Sequence, residues 1–309
     1  MPFRRVAATI PLFCLIALGL SSCSVTRRIH RPGKNPAQPL AIADKPTLIA
    51  IVARNFNLIR DFNATVNMTP SLGSAEKNKI TDYKIGDVTA HILFRRLADI
   101  RILGLYPMVG GKAFDMVSNG SDFKLSIPSQ NRFLVGRNEV AQRSERKLEN
   151  LRPQHFLEAL LVQPIADPDR TMKENFTDED NAFYVLDEVD DVGAAGLVIS
   201  RAIWFSRLDL SVARQIIFDD DGNILSDTRY ADWHYFDSAP FPKHIEINRP
   251  QDEYGVVIDV TKMEINRGVA TEKFVLNQPA GSTLQVVGQA PAPAPPAPPT
   301  PPGRRTRRQ

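Results

Sequence analysis

The sequence predicts a mainly β chain with two helices, an α+β fold whose strands form an antiparallel meander that curls toward an open or half-closed barrel. Three observations lead there. Apolar residues recur with period two over much of the stretch between Phe62 and Ile265. Turn chemistry returns between those runs at intervals of about ten residues. Helical periodicity is confined to two short segments, one near residue 50 and one near residue 155.

The first helix rests on Leu48, Ile51, Val52, Phe56 and Ile59, spaced by three and four residues, with Asp44 and Pro46 as start signals. After Asp61 the period changes to two: Phe62, Ala64, Val66 and Met68 alternate with Asn63, Thr65 and Asn67. A polar loop around Ser71 to Tyr83 is expected next. Strands follow at 88–95, 99–106, 112–117, 123–127 and 131–135, joined by Ser118-Asn119-Gly120-Ser121 and Pro128-Ser129-Gln130-Asn131. Pro153 to Val162 reads as the second helix, with Pro153 in its first turn and Pro164 after its end. Asp178-Glu179-Asp180 reads as a solvated loop. Strands resume at 182–189, 196–205, 212–218, 224–233, 245–247 and 254–265. Asp219-Asp220-Asp221-Gly222-Asn223 is a hairpin turn and not a calcium loop, because aligning Gly222 with the loop's sixth position puts Ile217 where an Asp is needed. A meander of this length must manage its edges, and curling toward a barrel with helices to plug it is a common answer.

The two ends of the chain carry different information. Arg4 and Arg5 precede an uncharged run from Val6 to Leu20, and Leu20-Ser21-Ser22-Cys23 follows. A basic start, a short apolar run and small residues before a cleavage point describe a secretory signal. A spanning helix wants about 18 or more apolar residues, and Pro11 interrupts this run. The segment resembles a lipobox, which implies cleavage before Cys23 and acylation of that residue, so that membrane lipid becomes a partner through Cys23. A plain cleaved signal with a chance cysteine, or a weak N-terminal anchor, would leave a similar pattern. Ser24 rather than Asp follows the cysteine, which points to the outer membrane, facing the periplasm, as the address. The domains read as a signal peptide over 1–22, a basic linker over 23–45, a folded body over 46–287 and a tail over 288–309. That tail holds eight prolines between Pro291 and Pro302, then Arg304, Arg305, Arg307 and Arg308, and cannot build a core.

Composition narrows the function. The formal charge of +3 falls to +1 without Arg4 and Arg5 and to −3 without the four tail arginines as well. The body is therefore near neutral, and no nucleic-acid partner is expected. Cys14 and Cys23 are the only cysteines, so the mature body offers no thiol chemistry and no disulfide. No metal, cofactor or catalytic motif emerges: there is no His-Glu-x-x-His pair, nucleophile elbow, phosphate loop or dinucleotide fingerprint. Asp232, His234, Asp237 and His244 match no metal template. A binding module fits better than an enzyme.

Several short stretches support a resemblance. They are Phe94-Arg95-Arg96-Leu97-Ala98-Asp99, Asp115-Met116-Val117-Ser118-Asn119-Gly120 followed by Phe123 to Pro128, Asp220-Asp221-Gly222-Asn223-Ile224, and Lys273-Phe274 to Gly281. Their order resembles the periplasmic lipoprotein carrier and receptor family, LolA and LolB. Leu97 departs from the family's usual Pro, and the acidic loop and Pro-Arg tail are additions. The resemblance implies a half-open antiparallel β barrel with capping helices that form a lid over an apolar cavity for acyl chains of lipids or lipoproteins. It also implies a periplasmic carrier protein as a partner. It makes Arg96 a contact to the helical lid, and it makes Leu105, Tyr106, Met108 and Val109 a loop for membrane or cargo transfer. The same loop would serve equally as core folded over the barrel mouth. A structural envelope lipoprotein whose barrel is filled by its own side chains is the alternative function.

Overall fold

The computed structural model describes residues 39–74, 79–82, 87–107, 110–139, 150–178, 181–193 and 196–287. Cys23 and the Pro-Arg tail lie outside the described residues, as do Met108, Val109, Glu179 and Asp180.

The first helix, α1, spans Lys45–Leu58. Asp44 accepts from the backbone N–H of Thr47 at 2.9 Å, and Pro46 sits in the first turn, where its missing N–H costs nothing. Leu48 and Val52 are its buried stripe. Strand β1 (Asp61–Ser74) buries Phe62, Ala64, Val66 and Met68, which are the residues the alternation selects.

Two antiparallel meanders share this sheet. One runs from β1 through β3 (Val88–Arg95), β4 (Asp99–Leu105), β5 (Lys112–Ser118) and β6 (Asp122–Ile127) to β7 (Arg132–Arg137). The second helix, α2, follows at Pro153–Leu160. The second meander comprises β8 (Thr171–Thr177), β9 (Ala182–Asp191), β10 (Leu197–Ser206), β11 (Val212–Phe218), β12 (Ile224–Phe236), β13 (Ala239–Arg249) and β14 (Tyr254–Ile265). They join where β14 pairs with β1, Phe62 opposite Ile265. Strand β15 (Thr283–Val287) adds in parallel to β7, and β2 (Lys79–Asp82) folds back on the end of β1. The order ends in β15 on one side and β8 on the other, so the sheet is open.

One face of the sheet carries the core. Residues from both meanders, among them Ile92, Phe94, Ile102, Ile245 and Ile258, form one cluster with Leu48 and Val52 of α1 and Phe156, Leu157 and Leu160 of α2. Both helices therefore lie against the same face. The rings of Phe94 and Phe241 approach that of Phe62 with centroids at 5.3 and 5.8 Å, tying the two meanders across the seam. On the outer face, the segment after β14 crosses the first meander: Arg101 donates to the carbonyl of Lys273 at 2.8 Å and Lys124 to that of Leu276 at 3.2 Å. Leu276 is buried there against Val117 and Phe133.

Differences from expectation are local. The polar loop expected over 71–83 is partly strand, since β1 runs on to Ser74 and β2 pairs with it. That arm is held by backbone bonds and shows little apolar alternation to read. The edge strands β8 and β15 gave no signal for the same reason, having a partner on one side only. Pro240 and Pro242 hid the start of β13, which opens at Ala239 and not near residue 245.

Asp187 is buried on the outer face of β9, paired in register with Met172 and Ala202. Burial, with repulsion from Glu174 in support, raises its carboxyl from 3.8 to about 6. Its ionised form is thus disfavoured by folding, a penalty absent below pH 4 and complete above pH 6. Asp187→Asn should then stabilise the protein by about 2 kcal/mol at neutral pH. The gain should fade as pH falls from 6 to 4, read from urea midpoints at each pH. An Asn variant no more stable at pH 7 would contradict this.

Candidate functional site

At one end of the sheet the core does not close. A cavity of about 130 Å³ lies between the sheet and α2. Its walls come from the last residues of β1 (Met68, Leu72), the start of β5 (Phe114, Met116), the first turn of α2 (Phe156) and the start of β14 (Tyr254, Val256). The lining is almost wholly apolar, with Ser71, Ser129, Gln130 and the two tyrosines 106 and 254 as its polar members. Two glycines shape it. At Gly104 a Cβ would lie 2.4 Å from the Phe114 ring, so only glycine lets that ring lean on β4. At Gly255 a Cβ would meet Ser71 Oγ at 2.8 Å.

The polar boundary of the cavity is buried. Tyr254 Oη and His155 Nδ1 are 2.9 Å apart, and Arg249 donates to Asp252 at 2.7 Å behind them. Burial pushes the Tyr254 hydroxyl up, so it stays protonated as a neutral group. Glu158 on α2 is pushed up by burial as well, with Arg249 opposing. The other end of α2 is held by side chains from the second meander. Gln215 donates to the carbonyl of Glu158 at 3.2 Å and Tyr230 to that of Ala159 at 2.8 Å. The helix is pinned at its C-terminal end and covers the cavity with its N-terminal one.

Arg96 sits elsewhere. It follows β3, at the opposite end of the strands from the cavity, and there it donates to the carbonyl of Ile59 at 3.0 Å and to that of Phe56. Its guanidinium also lies 4.4 Å from the centroid of the Phe56 ring. A cation thus satisfies carbonyls at the C-terminus of α1, where the helix dipole favours positive charge. No residue of α1 lines the cavity, so Arg96 and the cavity are not brought together.

The loop after β4 divides differently. Leu105 is the last residue of β4 and half-buried, and Tyr106 turns onto the cavity wall. The backbone N–H of Tyr106 donates to the carbonyl of Gly111 at 2.9 Å, closing the loop at its base. Met108 and Val109, the other two residues singled out in this loop, lie outside the described residues. The Asp219 loop is a turn as read: Asp219 Oδ1 accepts from the backbone of Asp221 and Asn223, and Gly222 takes φ +79°. His244 bridges Asp259 at 2.7 Å and Glu246 at 3.2 Å on the outer face. Those carboxylates raise its pKa, and no cluster fit for a metal occurs among the described residues.

Phe114, Phe156, Tyr254 and Val256 escaped sequence reading because a cavity wall and a core wall use the same residue types. Gly104 was the available clue, a glycine inside a strand that alternates as Ile100, Ile102.

No family model and no curated protein matches this chain. Solved structures similar to it include a DUF1329 family protein from Desulfovibrio piger, at 12% identity over 75% of this chain and 95% of that one, with a TM-score of 0.49. A LolA superfamily protein from Nitrosomonas europaea is similar at 12% identity over 76% and 99%, with a TM-score of 0.48. A proposed outer membrane lipoprotein-sorting protein domain from Vibrio parahaemolyticus follows at 13% over 75% and 97%, with a TM-score of 0.45. Fold and site together define a large open β sheet with an apolar, helix-covered pocket.

Arg96→Leu should remove both helix-terminal bonds and cost about 1–2 kcal/mol. Amide exchange should quicken over residues 52–59 and stay unchanged in β12 and β13. Unaltered exchange in α1 would mean that Arg96 is an ordinary surface cation.

Proposed function

We propose that this protein is a lipid-anchored binding module that takes acyl chains of lipids or lipoproteins into the cavity beneath α2. It would receive or sort lipoproteins at the outer membrane, on the periplasmic side. In this reading Cys23 holds the membrane, the linker spaces the body from it, and a periplasmic carrier protein delivers cargo. The sheet acts as a half-open barrel and α2 as its lid. On this reading the protein binds and hands on its cargo and is not an enzyme. The carrying observation is the apolar lining itself: an unfilled space at one end of the core, with α2 rather than a strand across it. A void of about 130 Å³ is close to one that holds a benzene-sized guest, so it suits the end of an acyl chain. Each buried methylene adds about 0.8 kcal/mol.

The structural alternative, a barrel filled by its own side chains, has one observation in its favour. The second apolar space, between the C-terminal ends of the helices near Phe56 and Leu160, is only about 30 Å³. Lipid analysis separates the two readings. The full chain extracted from membranes should carry close to one acyl lipid per protein beyond its own anchor. Gly104→Ala should displace the Phe114 ring and reduce that occupancy several-fold, at a stability cost of about 1–3 kcal/mol. A native protein that carries no lipid would favour the filled barrel.

A further inference from the structure

The outer face of the sheet changes character toward its free edge. Across β11 to β14 it is a ladder of charges: Arg214 holds Asp227 at 2.7 Å, Arg229 lies 3.6 Å from Asp227, and His244 bonds Asp259. Across β8 to β10 it turns apolar. Phe176, Phe183 and Trp204 form an aromatic cluster with ring centroids 5.0, 5.6 and 6.4 Å apart. Trp204 also packs on the small outer-face cluster of Val185, Ala202 and Ile216. Phe176, Met172 and Ile199 remain 43%, 51% and 41% exposed beside it. Singly exposed apolar residues need no explanation, but a contiguous patch centred on aromatics marks a contact surface.

The chain's own path says what that surface meets. Leu40, Leu208 and Phe183 line one surface depression, and the backbone N–H of Ala41 donates to the carbonyl of Arg207 at 2.7 Å. The described chain therefore enters the body beside the aromatic cluster. Fifteen residues lie between Cys23 and Pro39. A chain of that length spans at most about 55 Å, so an anchor at Cys23 keeps this end of the body close to the bilayer. Tryptophan favours the membrane–water interface, and phenylalanines beside it add apolar area that can enter the headgroup–acyl boundary. Glu174 and Asp187 share the face, which argues against an anionic surface and for a zwitterionic one.

We propose that the outer face of β8 to β10, centred on Phe176, Phe183 and Trp204, is a docking surface for zwitterionic phospholipid, laying the body on the membrane that holds its anchor. The orientation rests on the anchoring reading of Cys23, while the patch itself does not. It differs from the acyl-chain cavity, which opens on the other face of the sheet.

The chain has two tryptophans, and Trp233 is a built-in control: it packs on the inner core and its indole N–H donates to the carbonyl of Val212 at 2.9 Å. The full lipidated chain would be reconstituted in phosphatidylcholine vesicles containing brominated acyl chains, as Trp233→Phe and as Trp204→Phe. The first variant should lose about half or more of its emission and the second little. Flotation of the same samples, and of Cys23→Ser, reports the anchor separately. Protein that floats with Trp204 unquenched overturns the patch and leaves the anchor. Cys23→Ser that floats with Trp204 quenched keeps the patch and overturns the anchor as the necessary tether. Protein that does not float at all overturns both. Should Trp233→Phe fold poorly, Met172→Cys labelled with bimane replaces it, with a blue shift on vesicles expected and no shift overturning the proposal. Unquenched Trp204 in a sample that light scattering finds dimeric would assign the face to a second copy of the chain instead.

Discussion

The ladder between β1 and β14 is the pairing on which the molecule depends. Every other neighbour in the two meanders is also a neighbour, or nearly so, along the chain, and such hairpins form from local turn chemistry. β1 and β14 lie about 200 residues apart, and their register from Phe62–Ile265 to Leu72–Tyr254 turns two separate sheets into one. It also places the halves of the core against each other, Phe62 touching Phe94 on one side and Phe241 on the other. The cavity depends on the same seam, because its walls come from the first meander and from β14 at the seam's far end.

Much of this was legible in the residues. Alternation set the buried face of β1, β3 and β14, and the cap at Asp44 and Pro46 located α1. What stayed hidden was whatever is specified by tertiary contacts. The pairing of β1 with β14 leaves no local mark on Phe62 or Ile265, so a single long meander and two joined ones read alike. The parallel addition of β15 to β7 is equally silent, since Leu284 and Val286 stay exposed and show no buried alternation. The site was less legible than the fold. Arg96 was singled out and does contact a helix, yet the helix is α1, whereas the cavity is covered by α2.

The two helices hold different stations on one face. The C-terminus of α1 is fixed by Arg96, just after β3, and by Asn266, whose amide donates to the Leu58 carbonyl at 2.7 Å. It therefore belongs to the rigid frame. α2 is fixed at its C-terminal end by Gln215 and Tyr230, and its N-terminal end meets the His155–Tyr254 contact at the cavity wall. Any opening of the pocket that pivots about the pinned end would have to part His155 from Tyr254 and Asp252 and lift Arg152 off the Phe123 ring. Local openings of this kind draw on the least stabilised parts of a structure.

The seam also orders events in time. A ribosome delivers β1 early and β14 only after some 200 further residues. During that interval the first meander can form its hairpins, but β1 keeps one bare edge and half of the core has no opposite wall. Non-local closure of this kind is slow, because loop entropy is spent before contacts reward it. A chain that cannot complete its core until residue 265 is available stays without the second wall of that core for most of its synthesis. The distant pairing that holds the two meanders together once formed is also what delays their closure until nearly the whole body has been made.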